Sequence, residues 1–247
     1  MSNQTIADVA VQSDATDTAL ANALAKPRII SIPKKQSLIR YFSMATQFLT
    51  WPIAYIFFHS LYKVTINDRQ NLKKIVSPFI LISNHVASYD SFLFRLVLGF
   101  WASHLPLRFM AVDKFDYKHL NFLTRIGVIK ALYALFGVFV IVPGKGVEEN
   151  LKVASDIIMD GGNVVIYPEG KIVKKEGVSE FKRGAAVLVQ KTNVPVLPVS
   201  FRISGEEGAV KKRLTVNIGE PLWIPENMDE GNITQVFYNS IVNLYNK

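Results

Sequence analysis

The 247-residue chain contains no cysteine and four histidines, His59, His85, His104 and His119. That removes thiol nucleophiles, disulfides, cysteine zinc sites and iron–sulfur clusters, and leaves too few imidazoles for a histidine-rich metal site. One histidine sits in company that suits catalysis: Ser83-Asn84-His85-Val86-Ala87-Ser88-Tyr89-Asp90. Four residues separate His85 from Asp90. A turn leading into a helix near residues 88–90 would bring the carboxylate beside the imidazole. One ring nitrogen would then be held and the other left as a base. This is the base-and-orienter half of a triad, without its nucleophile. Spacing alone favours a plainer reading, in which His85 is a satisfied loop histidine and Asp90 an N-cap.

A second cluster follows the apolar run Val164-Val165-Ile166, as Tyr167-Pro168-Glu169-Gly170-Lys171. A carboxylate just past a buried strand, next to a glycine and a lysine, can hold a hydroxyl or a charged head group. An ordinary turn explains it equally well. Lys171, Lys174, Lys175, Lys182 and Arg183 lie close by in sequence. Such a run is usually a solvated face, yet it also has the chemistry to receive a phosphate. No G-x-S-x-G elbow is present, and Gly144-Lys145-Gly146 has neither the Walker spacing nor the dinucleotide fingerprint. His59, His104 and His119 lack partners at metal-ligand spacing and read as packing or interfacial residues.

The elements that must position these groups alternate. Residues 64–67, 79–83, 107–112, 138–142, 163–167, 194–201 and 214–219 read as strands. Residues 90–102, 119–136, 147–160, 180–192 and 234–246 read as helices. This alternation predicts an α/β fold, a central and mostly parallel sheet flanked by helices. Both candidate clusters then fall at the carboxyl ends of strands, where such sheets bind their ligands.

Composition sets the surroundings. Apolar residues make up 49% and charged residues 19%, and 28 Lys+Arg against 20 Asp+Glu leave a net charge of +8. Mean hydropathy is +0.21. An apolar and basic chain suits an anionic membrane surface. The aromatics cluster in apolar runs rather than interleaving with a basic face, so no nucleic-acid partner is expected. Residues 1–37 hold no aromatic residue and read as a disordered tail. Residues 38–63 read as a membrane-associated helical segment, and 64–247 as the catalytic domain. From Tyr41 to Tyr62 there is no formally charged residue, and Pro52 lies near the middle. Proline breaks helix hydrogen bonding, so the expectation is a helical hairpin entering and leaving one leaflet rather than spanning. A buried core helix would give the same pattern.

The order of the motifs is more specific than any one of them. Asn84-His85-x4-Asp90, then Tyr167-Pro168-Glu169-Gly170, Phe181-Lys182-x-Gly184-Ala185-Ala186 and Val194-Pro195-Val196-Leu197-Pro198-Val199 resembles the glycerolipid acyltransferase family, of the 1-acylglycerol-3-phosphate acyltransferase type. The resemblance runs over roughly residues 40–222. It departs at Val142, where that family usually has an Arg, with Lys145 three residues on as the candidate replacement. It departs again after Gly170, where Lys171-Ile172-Val173 replaces a Thr-Arg-Ser continuation. The resemblance implies transfer of a fatty acyl group from an acyl thioester to a lysophospholipid hydroxyl, with 1-acylglycerol-3-phosphate giving phosphatidic acid. His85 would be the base and Asp90 its orienter. Asn84, Glu169, Gly170, Lys171, Lys182 and Lys145 would bind substrate. No metal or cofactor is implied, and the co-substrate is acyl-CoA or an acylated carrier protein. The expected setting is the cytoplasmic face of a membrane. Another lysolipid, an amino-lipid acceptor, or a non-catalytic lipid-binding protein remain as alternatives.

Overall fold

A computed structural model describes residues 38–247 except 88, 101–102, 113–126, 142–145, 174 and 206–209. The expected tail at 1–37, most of the first half of the expected helix at 119–136, and Val142 and Lys145 lie outside the described residues.

The described residues form one seven-stranded sheet with helices on both faces. In chain order come α1 (Leu38–Leu61), β1 (Tyr62–Asn67), a 3₁₀ turn (Arg69–Lys74), β2 (Ile80–Ser83) and α2 (Asp90–Leu98). Then follow β3 (Leu107–Val112), α3 (Val128–Phe136), β4 (Val138–Ile141), α4 (Val147–Met159) and β5 (Asn163–Ile166). The chain ends with α5 (Gly184–Thr192), β6 (Val196–Ser204), β7 (Lys212–Ile218) and α6 (Glu230–Asn246).

The strand order is β1-β7-β6-β2-β5-β3-β4. Every neighbouring pair is parallel except β6 with β7. The central strands β2 and β5 are buried along their whole length, as strands covered on both faces must be. One core layer packs Phe58, Phe79, Leu93, Phe94 and Val97 under α1 and α2. The other packs Leu151, Ala154, Ile158, Leu188, Ile233 and Phe237 under α4, α5 and α6.

The hairpin expected at Pro52 is corrected. α1 runs unbroken from Leu38 to Leu61 with Pro52 inside it. The reason is a stripe that crosses the proline: Ser43, Gln47, Ala54 and Phe58 are all buried against the domain, while Pro52 faces outward. Packing of both halves on one surface outweighs the lost hydrogen bond. The neighbouring turn is tied to the domain and to its own side chains. Gln47 O accepts from Arg95 Nε at 2.5 Å and from Thr50 Oγ1 at 2.9 Å. Among the described residues, no helix is long and apolar enough to cross a membrane.

Candidate active site

The site forms where β2 and β5 leave the sheet side by side. Ile82 pairs with Ile166, so the residues after each strand emerge together. Asn84 comes first. Its amide Nδ2 donates to Phe201 O at 2.8 Å and its Oδ1 accepts from Phe201 N at 2.8 Å. The side chain thus imitates one more residue of strand pairing and stitches the end of β2 to β6. Both ends of this buried amide are occupied by the backbone of β6.

Asp90 opens α2 and folds back on the loop before it. Its Oδ2 accepts from His85 Nδ1 at 2.8 Å, from Val86 N at 2.8 Å and from Ala87 N at 3.0 Å, and Oδ1 accepts from Ala87 N at 3.1 Å. One carboxylate therefore closes the loop and holds the imidazole. Asp90 is fully buried, while the His85 side chain keeps 21% of its exposure. The loop tolerates the bend because the carboxylate replaces the hydrogen bonds that its backbone donors would otherwise lack.

The second cluster is a tight turn. Gly170 N donates to Tyr167 O at 3.0 Å, with Pro168 in the position that favours its fixed φ and Gly170 at φ 65°. The turn aims Glu169 back at the first cluster. Its Oε2 accepts from His85 N at 2.8 Å and its Oε1 from Ser179 N at 2.8 Å. Tyr167 lays its ring on the His85 imidazole, with centroids 4.2 Å apart and planes 17° from parallel. Val173 N donates to His85 O at 2.8 Å. His85 is thus held by its N–H, its carbonyl, its Nδ1 and one ring face. Among the described residues nothing is hydrogen-bonded to Nε2, so that atom is the one left for chemistry.

Lys182 completes the rim. Its backbone N–H donates to Pro168 O at 2.8 Å, and its side chain lies over Gly170 so closely that a Cβ there would stand 2.8 Å from Nζ. Lys171 follows the turn and is exposed. His85, Asp90, Glu169, Gly170, Lys171 and Lys182 therefore come together, Asn84 lies just beneath, and Lys145 falls outside the described residues. Sequence reasoning gave no role to Tyr167, Val173 or Ser179. Tyr167 adjoins the Pro-Glu-Gly turn and was within reach of a reading. The other two act through backbone N–H groups, which any residue type supplies.

Burial dominates the electrostatics. It pushes the Asp90 carboxyl above the usual carboxylate range, against the His85 hydrogen bond and the backbone donors of Ala87 and Val86. Burial likewise raises Glu169, opposed by the N–H groups of His85 and Ser179. The Tyr167 phenol is also raised by burial, and further by the nearby Asp90. No group of three or more His, Cys, Asp or Glu that could hold a metal ion occurs among the described residues. The arrangement can take a proton from a hydroxyl at Nε2 and stabilise the resulting imidazolium through Asp90.

The sequence model of the family described as Acyltransferase matches residues 63–202. A chloroplastic 1-acyl-sn-glycerol-3-phosphate acyltransferase of Brassica napus is 27% identical over 158 residues, covering 62% of this chain and 41% of that protein. A 1-acyl-sn-glycerol-3-phosphate acyltransferase of Chlamydomonas reinhardtii is 28% identical over 179 residues, covering 68% of this chain and 49% of that protein. The chain thus spans less than half the length of these two relatives. The crystal structure of the 1-acyl-sn-glycerophosphate acyltransferase PlsC from Thermotoga maritima superimposes with a TM-score of 0.53 at 20% identity, covering 83% of this chain and 77% of that one. That likeness is one of fold.

Proposed function

From the premise that this chain belongs to the acyltransferase family, we propose that it transfers a fatty acyl group from an acyl thioester to the hydroxyl of a lysophospholipid. The observation that carries the reading is the His85 Nδ1–Asp90 Oδ2 bond of 2.8 Å, with Nε2 turned away from it. The acceptor hydroxyl attacks the thioester carbonyl as Nε2 takes its proton. The C–O bond forms, the C–S bond breaks, and the imidazolium returns the proton to the departing thiolate. Asp90 keeps the tautomer that leaves Nε2 unprotonated before the attack. No acyl-enzyme is required, in keeping with a chain that has no cysteine.

The acceptor of the named relatives, 1-acyl-sn-glycerol 3-phosphate, fits the site's charge. Lys182 and Lys171 stand on the rim where its phosphate would lie. Glu169 and Asn84 act by positioning, since their polar atoms are engaged by backbone. The donor is acyl-CoA or an acylated carrier protein. The membrane enters through α1. Phe42, Leu49, Ile53 and Ile56 form a stripe opposite the buried one, with Leu49 69%, Ile53 65% and Ile56 68% exposed. A helix with one face packed and the other apolar suits the interface of an anionic bilayer, at its cytoplasmic face.

The test uses purified protein in detergent, oleoyl-CoA and a panel of lysolipids and amino-lipids, with free-thiol release as the readout. Release that needs both a lysolipid and His85 is expected, with His85→Ala lowering the rate about 10²- to 10⁴-fold. Undiminished transfer by His85→Ala would overturn the mechanism. A different best acceptor would move the substrate and leave the chemistry.

A further inference from the structure

His85 has a partner that the acyl-transfer step does not use. Tyr167 covers one face of its imidazole at a centroid distance of 4.2 Å and an interplanar angle of 17°. Two near-parallel rings at that distance make a stack, and the negative face of a phenol ring attracts a cation above it. The Tyr167 hydroxyl is buried beside Ser91 without a well-formed hydrogen bond. The ring is therefore held by packing. Phe94 lies 6.2 Å from it on the core side. The same turn that fixes the ring also delivers Glu169 to His85 N.

We propose that Tyr167 is a positioning residue for the base: its ring fixes the plane of the His85 imidazole and stabilises the imidazolium that exists after the acceptor hydroxyl has lost its proton. The inference rests on the acyl-transfer reading for its catalytic consequence, and on geometry alone for the stack. Among the described residues, the charged and titratable groups facing His85 are few. Asp90 meets Nδ1 from the start of α2, Glu169 meets the backbone N–H from the turn after β5, and Tyr167 lies on the ring face. Lys182 lies over the neighbouring Gly170. Asp90 holds one edge of the ring and Glu169 the backbone, and the face is covered by Tyr167, which restrains tilt about the Nδ1 hydrogen bond.

The sign of the effect follows. A cation is favoured over the face of a phenol ring, so the stack acts on the charged form of the imidazole more than on the neutral one. Removing the ring moves the acid limb of kcat/KM to lower pH, by about half to one unit if the contact has the usual cation–π strength. It also lowers kcat, about tenfold, because the imidazole then samples other planes. Removing only the hydroxyl changes neither.

The experiment compares Tyr167→Phe, Tyr167→Leu and Tyr167→Met in the whole 247-residue chain in detergent. It reads pH profiles of kcat/KM with oleoyl-CoA and lysophosphatidic acid, and the His85 imidazole titration by NMR, assigned with His85→Gln. Circular dichroism and thermal melts select the variants that retain the fold, and Met fills the space if Leu does not. Phe is expected to match wild type, within twofold in kcat and with an unmoved limb. Leu or Met is expected to show the lower kcat, and both its limb and its titration midpoint shifted to lower pH. A folded Leu or Met variant with the limb and midpoint of the Phe variant would overturn the inference. Wild-type protein that transfers no acyl group to any acceptor would instead overturn the acyl-transfer reading, and the NMR comparison would still decide the stack.

Discussion

At the scale of single residues, the site consists of two carboxylates that never meet solvent and one imidazole that does. Asp90 bridges backbone donors of the loop carrying His85, and Glu169 ties that loop to Ser179 N. Asp90→Asn keeps the shape and places an amide where an acceptor is required by Nδ1–H. Transfer should fall by about 10²- to 10⁴-fold, checked as the kcat of a variant whose melting temperature stays near wild type. Glu169→Gln should cost stability as well, because one of the two backbone donors loses its acceptor. Its pH dependence has a definite sign. Burial raises the native Glu169 carboxyl above its unfolded value, so the native state takes up the proton first as pH falls. Wild type therefore gains stability from this group on acidification, and the variant does not. The deficit of Glu169→Gln should be larger at pH 5 than at pH 7 in thermal melts. A deficit that shrinks on acidification would mean that the carboxylate is favoured as the anion.

Among the elements, α1 is decided by its attachment. Gln47 is its anchor: Nε2 donates to Leu107 O and Phe136 O at 2.7 Å each, and Oε1 accepts from Leu107 N at 2.9 Å. One buried amide ties α1 to the start of β3 and the end of α3. Gln47→Leu would strand these groups, and a fall of about 2–4 kcal/mol in unfolding free energy is expected from denaturant titration. Arg95 adds a buried guanidinium at the same junction, held to about 10 by burial, with its Nε on Gln47 O. The turn into β4 is the other tight element junction. Gly137 has φ 90°, and a Cβ there would come within 2.8 Å of Leu107 O. Gly137→Ala should lower stability by about 1–3 kcal/mol, read as a drop in melting temperature.

For the whole molecule, the two faces of α1 divide the labour. The buried stripe holds the helix on the sheet, and the exposed stripe remains as apolar surface on a chain of net charge +8. On the proposed membrane reading, Leu49→Asp with Ile53→Asp should abolish sedimentation with anionic vesicles. The far-ultraviolet spectrum and the melting temperature should stay within error, because neither side chain packs on the core. Binding by the unaltered protein should weaken as salt is added, since exposed charges are screened beyond about 10 Å at 0.1 M. Vesicle binding that survives both substitutions would move the contact away from α1.

The residues themselves determined a good deal. Apolar runs of four to six residues alternating with amphipathic stretches specify an α/β sheet, since local periodicity states which elements form and which are covered on both faces. His85, Asp90 and the Pro-Glu-Gly turn were legible through the order of the motifs, since spacing alone favoured an N-cap and an ordinary turn. Their roles were less so. Asn84 and Glu169 read as ligands for a substrate, yet each side chain is engaged by backbone that arrives from distant positions, Phe201 and His85. Pro52 read as a break because proline's effect is local, whereas the unbroken α1 depends on a surface built from β3, α2 and α3. The order β6-β2-β5 was likewise invisible, and it alone sets the two clusters side by side. Spacing along a chain fixes which groups can share a turn of helix or a loop. Which backbone donor meets which carboxylate, and which ring lies on the imidazole, depends on contacts between segments some eighty to one hundred and twenty residues apart. Only the packed tertiary structure decides those.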